Sequence, residues 1–194
     1  MRSIKLFLAI VVALSSFAHA QNVPVFTIPH QGSSITFDVK ASVELQGTFD
    51  KWDATLTFTS PDVSTGVLDI KIQAASVNTG SGMKDGKLKS KDFFDVEQNP
   101  LITFHSSKIV QTGPNTFEVP GTFTIRGVSK PETLAFTVSG AGTGYGEILG
   151  IMAFNRKDYG MNKGIPFIKI ADEVAVSVDL IGKRTSGPPL QLKK

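Results

Sequence analysis

The chain has 194 residues, 20 lysines and arginines against 17 aspartates and glutamates, and no cysteine. The absent cysteines exclude disulfides, thiolate metal sites, a cysteine nucleophile and a lipidated N-terminal cysteine, so stability must come from a packed core. Arg2 and Lys5 precede an apolar run; without them the charges nearly balance, and net charge points to no nucleic-acid or anionic-membrane partner.

Residues 1–20 read as an export signal: two basic residues, the run LFLAIVVALSSFA, and a small-x-small site at Ala18-His19-Ala20. The run is shorter than the roughly 20 residues that cross a bilayer core. A secreted protein with no permanent membrane anchor is expected, its mature chain beginning at Gln21 and long enough for a single domain.

Period-two alternation then runs through most of the sequence and predicts antiparallel strands. Ile35, Phe37 and Val39 alternate with Thr36, Asp38 and Lys40, and Leu68, Ile70 and Ile72 with Asp69, Lys71 and Gln73. The pattern returns at Ile102 and Phe104, at Phe123 and Ile125, at Leu134, Phe136 and Val138, and at Val174, Val176, Val178 and Leu180. Less regular strands are expected at residues 49–58 and 148–154. Turn signals at Ser60-Pro61-Asp62, Thr112-Gly113-Pro114-Asn115, Gly127 to Pro131 and Gly140 to Gly146 divide about eight strands joined by short hairpins.

The one long interruption, residues 75–100, includes GSGMKDGKLKSKDFF and is expected to hold a short helix despite its glycines. Residues 184–194, RTSGPPLQLKK, carry no sheet pattern and read as a loose tail after a domain at 21–183. A sheet of this size must hide its apolar face by stacking as a sandwich or by curling into a barrel, and periodicity does not choose between them. Of 14 phenylalanines only Phe7 and Phe17 fall in the signal, against one Trp and two Tyr in the whole chain. The hidden face is therefore apolar with few polar handles. It is either a filled core or the wall of a cavity for one small ligand.

Five strings, in this order and spacing, resemble the YceI-like family: Ala-Ala-Ser-Val-Asn-Thr at 74–79, Leu-Lys-Ser-Lys-Asp-Phe-Phe-Asp-Val at 88–96, Pro-Leu-Ile-Thr-Phe-His-Ser at 100–106, Gly-Thr-Phe-Thr-Ile-Arg-Gly-Val-Ser-Lys-Pro at 121–131, and Asn-Arg-Lys-Asp-Tyr-Gly at 155–160. The resemblance runs from about Thr27 to Leu180. It implies an all-β fold, an eight-stranded antiparallel lipocalin-like barrel with a short helix, holding a long isoprenoid or similar amphiphile in the periplasm of a Gram-negative bacterium. Family members often carry Arg-Asp-x-His-Leu before the double Phe, whereas this chain reads Lys84-Asp85-Gly86-Lys87-Leu88. A head-group role that needs imidazole there has no residue to perform it.

On that frame the candidate apolar lining is Phe37, Phe49, Phe58, Leu88, Phe93, Phe94, Phe104, Phe123, Phe136 and Phe154. Phe93 and Phe94 either plug one end of the barrel or border its channel. Candidate head-group residues are Lys84, Asp85, Arg126 and Arg156. For Arg126 the reason is that a guanidinium at a barrel mouth donates paired hydrogen bonds to phosphate or carboxylate. The competing readings are a solvated helix face for Lys84 and Asp85, a turn residue for Arg126, and an internal ion pair of Arg156 with Asp158.

His30 and His105 stand 75 positions apart with no metal-ligand spacing. There is no Gly-x-Ser-x-Gly elbow, phosphate loop or zincin helix. No catalytic residue, metal or cofactor is expected. The expected function is a periplasmic carrier for a polyprenyl phosphate or a quinone. A scavenger of fatty acids or fatty amides, and a protein-interaction module with a filled core, are the alternatives. Monomer and homodimer are both left open.

Overall fold

The computed structural model describes residues 23–42, 45–140, 142–164 and 168–193. The export signal and the start at Gln21 lie outside the described residues. Twelve antiparallel strands form one curled sheet: β1 (Val25–Thr27), β2 (Ser34–Val39), β3 (Leu45–Phe49), β4 (Trp52–Thr57), β5 (Val67–Gln73), β6 (Val77–Asn78), β7 (Leu101–Ser106), β8 (Val110–Gln111), β9 (Thr116–Ile125), β10 (Val128–Ser139), β11 (Tyr145–Asn155) and β12 (Glu173–Ser186). One helix, α1 (Gly82–Lys89), lies between β6 and β7.

Twelve strands make only eight staves, because several are halves of one bent run. β3 pairs with β6 and β4 pairs with β5. Across the bend Asp50 N donates to Ser76 O at 3.1 Å, Gln73 N to Lys51 O at 2.9 Å, and Lys51 N to Ser76 Oγ at 3.1 Å. The joined runs β3–β4 and β5–β6 therefore continue one ladder and close the circle through β7, β9, β10, β11, β12 and β2. The two less regular strands follow from this arrangement: residues 49–58 straddle that bend, and residues 148–154 are the middle of β11.

Closure is complete at mid-height and split at both ends. At one end β1 lies beside β4 without a ladder between them, leaving an open groove of about 460 Å³ along residues 23–28 and 54–58. At the other end β6 and β7 part, and residues 79–100 fill the gap. We call these the seam end and the helix end.

Strand β12 runs the whole height, pairing with β11 along its length and with β2 and then β1 on its other side. Alternate residues of a strand share a face, so Val174, Val176, Val178, Leu180, Gly182 and Arg184 point inward. Hairpin β9–β10 closes on Arg126 and Gly127, with φ of 54° and 71°, the left-handed pair that a two-residue turn needs to match strand twist.

The segment expected as a loose tail is docked. Arg184 pairs with Phe26 inside the sheet, Gln191 N donates to Pro61 O at 2.8 Å, and Gln111 Nε2 donates to Lys193 O at 2.9 Å. Leu190 and Leu192 pack on the core at the seam end. A single Leu-Gln-Leu after Pro188-Pro189 and before two lysines is too short to show periodicity, which is why the sequence pattern missed it. Replacing both leucines by alanine is expected to cost about 2 kcal/mol from lost apolar burial, a fall of roughly 4–8 °C in Tm by differential scanning calorimetry.

Candidate functional site

Three apolar cavities lie in a row inside the barrel, of about 100 Å³ at the seam end, 30 Å³ in the middle and 60 Å³ at the helix end. Their alignment follows from the strands. On β5, Leu68 borders the first, Ile70 the second and Ile72 the second and third. On β12 the same order is Leu180, Val178 and Val176. Successive inward residues meet successive cavities, so the row follows the barrel axis.

All ten apolar candidates are buried. Phe58 and Phe136 border the seam-end cavity, Phe104 and Phe123 the middle one, and Phe37, Phe49, Leu88, Phe93, Phe94, Phe123 and Phe154 the helix-end one. Core packing and cavity lining are thus the same surface. Phe26 and Phe117, which the sequence pattern did not single out, also border the seam-end cavity. Phe26 lies across the split from Phe58, with ring centroids 5.6 Å apart.

Phe93 and Phe94 are 3% and 7% exposed and form the floor at the helix end. On an extended segment neighbours would point oppositely. Here residues 90–96 form tight turns: Phe93 N donates to Ser90 O at 3.0 Å, Phe94 N to Leu88 O at 2.9 Å and Val96 N to Lys89 O at 3.2 Å. Both rings therefore reach the lumen. Phe94 meets Phe49 at 5.9 Å. Lys87, standing where the family pattern often has His, bonds Asp92 Oδ2 at 2.7 Å and lies 5.7 Å from the Phe93 ring centroid. It braces the floor rather than entering it.

Glycines in the wall set how far the rings project. Gly150 pairs with Phe136 across β10–β11, and Gly47 with Phe37 across β2–β3. A β-carbon at Gly150 would stand 2.1 Å from Phe136 Cε1, and one at Gly47 2.8 Å from Phe37 Cε1. Each ring lies down over the glycine of the next strand. A strand glycine can mark such close approach. At these two positions the consequence is lumen space that a side chain would remove.

The head-group candidates are held by protein groups. Asp85 accepts from Thr79 N at 2.8 Å and Thr79 Oγ1 at 2.6 Å, in the first turn of α1. Lys84, on the same helix, is half-buried and already has a partner. Arg126 donates through Nη1 to Gly160 O at 2.6 Å and through Nη2 to Lys91 O at 2.9 Å, tying the double-Phe turns to the helical turn that follows β11. It borders none of the three cavities. Arg156 does border the helix-end cavity, but its guanidinium donates to Ala171 O, Met161 O, Lys163 O and Asp172 Oδ1. Its ion-pair partner is Asp172 at 3.0 Å, not Asp158.

Three carboxyls of this end lie below the ordinary aspartate range: Asp85 through the Thr79 hydroxyl, Asp92 through the hydrogen bond from Lys87, and Asp172 through that from Lys157. A depressed folded pKa stabilises above the unfolded value, about 4, and that stabilisation disappears as pH falls through the folded value. The urea midpoint is accordingly expected to be flat between about pH 7 and 5 and to drop below about pH 4. Deep inside, the Tyr159 hydroxyl donates to Glu132 Oε1 at 2.9 Å. Burial first, and then this carboxylate, raise its pKa far above the ordinary phenol value. His105 Nδ1 lies 2.5 Å from Asp69 Oδ1 on the outer surface, and among the described residues no group of three or more His, Asp or Glu could hold a metal ion.

The YceI-like domain model matches residues 26–181. A UPF0312 protein of Pseudomonas savastanoi pv. phaseolicola is 32% identical over 117 residues, 60% of this chain and 56% of its own length, so the match spans little more than half of that curated relative. A UPF0312 protein of Azotobacter vinelandii is 28% identical over 70% of this chain and 73% of its own. Among solved structures, Burkholderia cenocepacia BcnA superposes with a TM-score of 0.72 at 27% identity, covering 80% of this chain and 99% of that one. A polyisoprenoid binding domain from Saccharophagus degradans superposes with a TM-score of 0.66 over 83% of this chain and 99% of its own, at 16% identity, a likeness of fold alone. With the domain match covering nearly the whole barrel, the chain belongs to the YceI-like family.

Proposed function

We propose that this protein is a periplasmic carrier that holds the apolar chain of an isoprenoid lipid, of polyprenyl phosphate or quinone type, along the barrel axis. The observation that carries the reading is the row of three apolar cavities, floored by Phe93 and Phe94 and opening toward the split between β1 and β4. The polyisoprenoid-binding description of the Saccharophagus degradans domain, which shares the fold, agrees with it. Export to the periplasm rests on the signal pattern of residues 1–20, and the lack of catalytic motifs favours binding over catalysis.

Removing a methylene from water is worth about 0.8 kcal/mol, so a chain of about twenty carbons would gain roughly 16 kcal/mol before ordering costs. The competing home of such a lipid is a bilayer, where its tail is already dry. Net transfer from membrane to barrel lies much nearer zero, which is the balance a carrier needs to load and unload.

Each cavity is smaller than the ~150 Å³ engineered void that admits benzene. A long chain enters only when Phe104, Phe123 and Phe136 swing aside and join the three spaces. The same small volumes favour one competing reading, an interaction module with a filled core. Mass spectrometry of the mature protein isolated natively from the periplasm decides between them. The carrier reading expects one amphiphile per barrel. An empty protein that takes up neither prenyl chains nor fatty acids would establish the filled core.

A further inference from the structure

We infer that Arg184 is an anion-binding residue at the seam-end mouth of the lumen, and that it seats the carboxylate or monophosphate head of a single-chain amphiphile whose tail points toward Phe93 and Phe94. The inference rests on the lumen reading above and adds to it the ligand's charge and its direction.

The placement comes from strand alternation. The inward face of β12 reads Val174, Val176, Val178, Leu180, Gly182, Arg184, so an arginine ends the row of residues that line the axis. Arg184 borders the seam-end cavity together with Gly182 and the glycine-rich turn at Gly140, Gly142 and Gly144. Its backbone N donates to Gly144 O at 2.7 Å, fixing strand and turn together at the rim.

The guanidinium is only partly satisfied. Nη1 donates to Gly187 O at 2.5 Å, while Nε is buried and has no hydrogen-bond partner. A buried donor without an acceptor is destabilising, a cost that a bound oxygen would remove. The edge that carries Nε and Nη2 faces Gly144, where a β-carbon would stand 3.4 Å from Nε and 3.3 Å from Nη2. Gly144, at φ 89°, adopts a backbone conformation that favours glycine, and it places only backbone, with no side chain, before that edge. Paired N–H groups on one guanidinium edge match two oxygens of a carboxylate or phosphate.

Among the described residues the other arginines do not share this arrangement. At the helix end Arg156 is saturated by three carbonyls and a carboxylate, and the orphaned Nε of Arg126 borders no cavity. The cation with capacity toward the lumen is at the seam end, which orients the chain.

The test uses the mature protein and two matched pairs of probes: cis-parinaric acid with its methyl ester, and farnesyl phosphate with farnesol, the second pair read by displacement. The expected result is at least a tenfold tighter Kd for one or both anions than for the neutral partner. Whichever pair shows the difference identifies the head group as carboxylate or phosphate. Arg184→Met should abolish the preference and leave ester and farnesol affinities unchanged, while Arg184→Lys should retain part of it. Equal binding of acid and neutral partners by the wild type would overturn the inference with no need of a variant. So would a preference that survives Arg184→Met, or a parallel loss for all four probes in Arg184→Lys. If none of the four probes binds the wild type, the lumen reading itself fails, and this inference fails with it.

Discussion

Gly150→Val will close the seam-end half of the lumen and weaken chain binding tenfold or more, in a barrel that remains folded. The reason is geometric. Even the first carbon of the new side chain would lie 2.1 Å from Phe136 Cε1 and 2.5 Å from Cδ1, so the ring must leave the wall, and the remaining direction is the lumen. Valine is a favourable strand residue, so the backbone gains nothing by yielding. The overpacking should cost about 1–3 kcal/mol, visible as a lower urea midpoint. Pairing Gly150→Val with Phe136→Ala removes the clash and should recover much of the binding, a coupling that a double-mutant cycle measures directly. Unchanged affinity in the single variant would show that the seam-end cavity takes no part in binding.

Phe123→Ala should have the larger effect on stability. Its ring is 5.1 Å from that of Phe154 and 5.5 Å from that of Tyr159, and it borders both the middle and the helix-end cavities. Truncation of such a residue costs about 3–5 kcal/mol, a fall of roughly 10 °C or more in Tm for a chain of this size. It also joins two spaces into one. If those spaces accept a chain, an amphiphile of about twenty carbons should raise the variant's Tm by more than it raises that of the wild type, because a ligand stabilises by its affinity for the folded state. A loss of stability that no chain reverses would assign Phe123 to packing alone.

Much of this architecture was legible in the residues because an antiparallel barrel wall has the simplest of patterns. Wherever Ile, Val, Leu or Phe alternated with Thr, Ser, Asp or Lys, a strand formed, and the ten apolar candidates are buried. The helix was visible only as an interruption. With two glycines in eight residues it has low intrinsic propensity. Leu88 packed beneath it, Thr79 donating to Asp85, and the Lys87–Asp92 pair help to hold it.

The parts that escaped share a different cause. The sequence pattern places Arg184 in the tail, beyond a boundary at residue 183, although Gly182 and Arg184 continue the alternation of Val174 to Leu180. A glycine and a charge hide a strand's inward face when only apolar residues are counted. Gly47 and Gly150 escape the pattern for the same reason: their contribution is the space they leave, and it becomes visible only once the register sets Phe37 and Phe136 opposite them. The positions of Arg126 and Arg156 near strand ends were also readable. That their N–H groups are largely engaged by backbone carbonyls of residues 91 and 160–171 depends on loops with no periodic signal.

The central claim is that an apolar chain lies inside this barrel, and photolabelling addresses it most directly. A fatty acid or prenyl phosphate with a diazirine at the end of its tail is bound to the mature protein and irradiated, and the labelled residues are then identified by peptide mass spectrometry. The account predicts labels on inward-facing residues of the helix end, Phe93, Phe94, Phe49 and Phe154 among them, lost in the presence of excess unlabelled chain. Labels confined to outward-facing apolar residues such as Met83, Leu149 and Ile151, which are 88%, 52% and 58% exposed, would contradict it.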